Sequence, residues 1–174
     1  MKKKCILVSL LLISLFMTNN YTSFAAQSEL SVPPMYKNLK GKDELMGFLS
    51  EIGTIRTNIS TITITPVTVK ESSSKIKREI NFYISELSSV ENSIKMFEKK
   101  YNNSQPDLLF SQQISIILNS YKMSLSQQLV LVDGIMSNEL EATRLFHSDY
   151  LTYIYYYLNL GDQMISYIET FYNL

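Results

Sequence analysis

Any chemistry in this sequence would have to start at His147, its single histidine. That side chain titrates near neutrality, which suits it to general-base work or to holding a metal. A base also needs an orienting acid and a nucleophile, and zinc needs three or four ligands. The nearest acids along the chain are Asp149, Glu141 and Glu139. Only Glu141 approaches the same helical face, and at six residues' distance it is poorly placed. Carboxylate-bridged di-iron bundles use Glu-x-x-His pairs on two helices, an arrangement that one histidine excludes. His147 is therefore expected to be structural and partly exposed.

The remaining candidates are weaker. Most acids sit singly on polar helical positions, where their pKa stays ordinary, and their spacing singles out no general acid and base pair. None of the five glycines falls in a phosphate-cradling pattern. No catalytic, cofactor-binding or metal-binding residue is assigned. Lys70, Lys75, Lys77 and Arg78 put positive charge at the start of a helix, against its dipole, and are read as a solvated turn. The tyrosines are more suggestive. Tyr150, Tyr153, Tyr155, Tyr156 and Tyr157 fall within eight residues. On a helix Tyr150, Tyr153 and Tyr157 share a face, while Tyr155 and Tyr156 point elsewhere. One or two of these rings must then face solvent, and exposed tyrosines are common on protein contact surfaces. The five are the candidate interaction patch. The competing explanation is core packing in a chain whose composition favours Ile, Asn, Lys and Tyr and lacks Trp.

Four segments carry the helical spacing that would position these residues. In the first, Leu45, Ile52 and Ile59 are seven apart, as are Phe48, Ile55 and Ile62. Residues 61–69 then alternate with period two, as a short strand does; the reading taken is a helix end stopped by Pro66. In the second, Ile76, Ile80, Tyr83, Leu87, Val90, Ile94, Phe97 and Tyr101 recur at steps of four and three, a narrow apolar seam. Ser72, Ser73 and Ser74 offer its N-cap. The third opens on Ser104, Pro106 and Asp107 and runs through Ile114, Leu118, Tyr121, Leu125, Leu129, Val132 and Met136, with Asp133-Gly134 as its stop. The fourth opens on Asn138 and Glu141 and stacks Leu151, Ile154, Leu158, Ile165, Ile168 and Tyr172, with Gly161 marking a close helix contact or a bend. Short links favour antiparallel neighbours. The fold class is all-α, an elongated up-down bundle of about four long helices over residues 41–174.

The N-terminus decides the compartment. Lys2, Lys3 and Lys4 precede an apolar run from Cys5 to Met17, and Ser23-Phe24-Ala25-Ala26 closes the segment with small residues. That order is a secretory signal over residues 1–26. At about 1.5 Å per residue the run reaches roughly 20 Å, short of the roughly 30 Å membrane core, so cleavage is expected in place of a transmembrane anchor. Residues 27–40 contain Pro33-Pro34, show no period, and are read as an extended or disordered leader. The exported chain then has no cysteine. Loss of three of the 16 basic residues leaves 13 against 16 acidic ones, a net charge of −3. Residues 101–174 hold only Lys122 and Arg144 against seven acids, which argues against nucleic acid as a partner.

These features describe an exported, non-enzymatic helical protein, periplasmic or extracellular, that acts through contacts with another protein or with itself. The alternatives are an inter-helix pocket for a small ligand or reaction, and attachment at a membrane surface. In outline, with a signal followed by one cysteine-free domain of long helices, the chain resembles the exported helical subunits of bacterial secretion and conjugation machines. The likeness is one of architecture and carries no residue with it.

Overall fold

A computed structural model describes residues 32–33, 36–137, 141, 144 and 151–172. The proposed signal, His147 and Tyr150 lie outside the described residues, as does Asn138 of the expected capping pair. Among the described residues regular structure is helical, with no strand. The described residues include four helices: α1 (Lys42–Ile59), α2 (Pro66–Lys100), α3 (Gln105–Ser137) and α4 (Leu151–Glu169). None is long and apolar enough to cross a membrane.

The start of α1 is held from elsewhere in the chain. Gly41, its N-cap, supplies no side chain. Asp107 of α3 accepts the Gly41 amide at 2.9 Å and the Lys40 amide at 3.1 Å, and Ser104 donates its hydroxyl to the same carboxylate. Asp107 is fully buried. Burial opposes its charge, but the donors from Ser104, Gly41 and Lys40 outweigh that and hold its pKa below the usual carboxylate value. A charged carboxylate at a helix N-terminus complements the dipole there. Gly41 is required for packing, because a Cβ would come within 2.3 Å of the Phe97 ring.

The α1–α2 junction corrects the expectation for residues 61–69. Residues 62–65 are neither helix nor strand, and Pro66 opens α2 instead of stopping α1. Thr65 is the N-cap of α2. Its hydroxyl accepts the Thr68 amide at 3.1 Å while the Thr68 hydroxyl accepts the Thr65 amide at 2.9 Å, a reciprocal capping box. Proline at the first helical position costs nothing, since its missing N–H would have no intrahelical partner. The serines expected to start the helix lie inside it. Ser72 has non-helical angles (φ −144°, ψ 26°) and marks a kink. The seam that follows is buried as the spacing requires, from Ile76 to Phe97, with Tyr83 and Tyr101 half-buried at its edge.

α3 is the central helix. It runs past Gly134 to Ser137, so Asp133-Gly134 is not its stop. Phe110, Ile114, Ile117, Leu118, Tyr121, Leu125, Leu131 and Val132 are buried on it. α2 packs antiparallel to it: Lys77 pairs with Asp133, Lys122 meets Glu91 at 2.9 Å, and Ser111 meets Glu98 at 2.9 Å. α4 runs antiparallel along another side, with Phe110 against Tyr172 at one end and Ser124 donating to the Ile154 carbonyl nearer the other. α1 is antiparallel to α2, placing Glu44 beside Lys100 (2.5 Å) and Phe48 against Phe97. Arg56 of α1 reaches across to α4. α1 thus lies on one side of the α2–α3–α4 layer.

The last residues of the segment read as a leader pack on the bundle. Tyr36 is 4% exposed and packs edge-on against Phe110. Its hydroxyl donates to Gln113 at 2.7 Å, and its carbonyl accepts the Tyr172 hydroxyl. Tyr36 and Lys40 are thus tied to α3. A single aromatic in an aperiodic stretch gives no period to detect, which is why spacing misses it.

Candidate functional site

The outer side of α4 is the surface whose chemistry is hardest to explain by folding alone. Its inner side packs on α3 along its length, most closely at one glycine. Gly161 lies against the ring of Tyr121, so near that a Cβ would sit 2.5 Å from it. Glycine here makes a helix contact, not a bend. The next residue, Asp162, receives two bonds from the Arg56 guanidinium, both 2.8 Å, and one from the Tyr121 hydroxyl, also 2.8 Å. This group ties α1, α3 and α4 together. Burial, and then its bond to Asp162, push the Tyr121 hydroxyl well above its usual pKa. It is a neutral donor that never ionises in water near neutrality, so it supports structure and offers no base.

With that anchor the turn of α4 is set. Ile154, Leu158, Gly161 and Ile168 face inward. Tyr153, Tyr156 and Tyr167 then fall on the far side and are 56%, 59% and 53% exposed. Of the five patch residues, Tyr153 and Tyr156 share this outer face. Tyr157 is half-buried next to it, edge-on to Tyr156 at 5.3 Å between ring centroids. Tyr155 is exposed on another side, over the α1–α4 contact, and Tyr150 lies outside the described residues. α4 has no basic residue, and Asp162 and Glu169 are its only charges.

The same side of the layer continues onto α3. Opposite the face that packs on α1, Ile116, Met123 and Val130 are exposed to 50%, 44% and 51%. Between Asp107 and Asp133 the one charged residue of α3 is Lys122, which turns toward Glu91 of α2. Apolar side chains from α3 and aromatic ones from α4 therefore share a side that carries almost no charge. None of Tyr167, Ile116, Met123 and Val130 belongs to the candidate patch read from the sequence. The signal for them is their spacing of seven, and of fourteen between Tyr153 and Tyr167.

Other features have structural explanations. Lys77 of the basic cluster is paired with Asp133. Among the described residues, no group of three or more His, Cys, Asp or Glu is placed to hold a metal. A cavity of about 220 Å³ lies where the α1–α2 junction meets α3 and α4, lined by Arg56, Ile62, Ile64, Gln128, Leu131 and Tyr155 among others. Its volume is below the roughly 300–1,000 Å³ of most small-molecule sites. Comparison of the chain with protein-family models, curated proteins and solved structures finds no match.

Proposed function

We propose that this chain is an exported helical protein that works by contact with protein, through the outer face of α4 and the adjoining side of α3, and that it performs no reaction of its own. The observation that carries the reading is the exposure of Tyr153, Tyr156 and Tyr167 on a helix whose inner face is already satisfied. Tyr167 also packs edge-on against Tyr36 and Phe171, but the exposed area of the three rings suits a contact surface, which gains much area with few rotors to order. Export through a cleaved signal over residues 1–26, and a place in the periplasm or outside the cell, belong to the same proposal and rest on the sequence order at the N-terminus. Placing Tyr156 rather than Asn92, on the solvent side of α2, toward a partner gives a direct test. A photo-cross-linking phenylalanine derivative is put at each position in the cells that make the protein. Adducts are expected at 156 and not at 92. Absence of any adduct at both 153 and 156 overturns the reading.

A further inference from the structure

Resting on that reading, we infer that the occupant of the face is a second copy of this chain, related by a two-fold axis between Met123 and Leu160. The layout of the face points to it. On α3, Ile116 and Val130 stand seven residues either side of Met123; on α4, Tyr153 and Tyr167 stand seven either side of Leu160. The two centres lie at the same level. Tyr121 touches Gly161 and bonds to Asp162, and because α3 and α4 are antiparallel, two residues further along α3 corresponds to about two residues back along α4. One axis perpendicular to the helices therefore maps each stripe onto itself with its ends exchanged. In the pair, α4 lies antiparallel to α4 of the second copy, and Tyr153 of one meets Tyr167 of the other.

Charge and area agree. An interface between identical surfaces sets every charge opposite its own kind when it lies near the axis, so a self-pairing face has to be nearly neutral there. This face is: neither Lys122 nor Asp162 projects onto it, since each is bound to a neighbouring helix. The five exposed side chains of the two stripes, with Leu160 half-buried at the centre, expose roughly 600 Å². A standard interface takes roughly 800 Å² from each partner, and the half-buried Tyr157 and Met164 beside Leu160 supply much of the remainder.

The test is the solution mass and its response to charge. Sedimentation equilibrium of the protein purified as its own cells make it is expected to show twice the chain mass at micromolar concentration. Tyr153→Lys with Tyr167→Lys puts four lysines at the two ends of the interface, and dissociation is expected to strengthen at least ~100-fold by like-charge repulsion. Tyr153→Lys with Tyr167→Glu instead sets each lysine against a glutamate of the other copy. It is expected to restore pairing to within ~10-fold of the wild type. These positions are more than half exposed, so helical circular dichroism should be unchanged in both. A monomeric wild type at all concentrations overturns the inference, and so does a Lys/Glu chain as dissociated as the Lys/Lys chain. The cross-link at Tyr156 separates the two levels. An adduct of twice the chain mass supports the second copy. An adduct of another mass, with a monomeric wild type, refutes the pairing and leaves the contact function standing; no adduct and a monomer remove both.

Discussion

α2 and α4 flank the same central helix, both antiparallel to it, yet they treat water in opposite ways. α2 has twelve charged residues among its 35, while α4 has two among 19. The outer side of α2 carries charge, and its exposed Phe82 and Met96 are separated by the polar Ser85, Ser89 and Asn92. The outer side of α4 carries tyrosine. The inner faces differ too. α2 is held by a long apolar seam with a local cap, so its stability is spread over many small contacts. α4 also packs on α3 along its length, through Ile154, Leu158 and Ile168, and adds one polar fastening, where Gly161 and Asp162 meet Tyr121 and Arg56. Two helices in one bundle thus meet water differently: α2 turns charge outward, and α4 turns tyrosine outward.

The largest effects should fall at the closest approach of α4 to α3. Gly161→Leu drives a branched side chain into the Tyr121 ring and should lower unfolding free energy by about 3 kcal/mol in urea titration. Gly134, within α3, has nothing within 4 Å of a built Cβ. There Gly134→Ala should instead raise stability by about 0.5–1 kcal/mol, because helix propensity acts alone. Equal responses at the two glycines would break the distinction. Next comes Asp162→Ala, which leaves the buried Tyr121 hydroxyl without its acceptor and Arg56 without its partner. A loss of about 2 kcal/mol is expected.

The comparison also explains what could be read from the sequence. The seam of α2 was legible because a long run of four- and three-residue steps has no other explanation than one helical face. Its beginning was misread because a proline ends one helix and begins the next equally well. The deciding signal was Thr65-x-x-Thr68, whose reciprocal caps give Pro66 its role as the first helical residue. The fastening of α4 was not legible at all. Arg56 and Asp162 are 106 residues apart, and Asp107 is 66 from the amide of Gly41 that it caps; no local pattern links such pairs. The tyrosine run drew attention to α4, but exposure of a ring depends on which turn faces α3. That was set by Gly161 against Tyr121, so Tyr155 and Tyr156 could not be separated beforehand. His147 and the proposed signal lie outside the described residues.

Two smaller predictions concern α2, where effects should be slight because its contacts are many. Thr65→Ala removes one half of the capping box and should cost about 1 kcal/mol, read as a shift in the urea midpoint with an unchanged slope. Compensation by the intact seam makes outright unfolding the result that would contradict a distributed design.

The smallest effect is a pH dependence at Glu91. Hydrogen bonds from Lys95 (2.6 Å) and Lys122 (2.9 Å) pull its carboxyl down to about 2 from an ordinary 4.5. A depressed folded pKa means the pairing contributes fully above pH 4.5 and is lost as pH falls from 4.5 toward 2. Because the group is open to solvent, screening limits the contribution to less than about 1 kcal/mol. Glu91→Gln should therefore be slightly less stable than wild type at pH 7, and the gap in urea midpoint should close by pH 2. Glu44 and Asp107 have lowered pKa values as well, so both proteins weaken in acid and only the difference between them isolates Glu91. A gap that persists unchanged to pH 2 would mean that Glu91 supports α2 through packing, and that the charged side of α2 keeps it soluble without holding it in place.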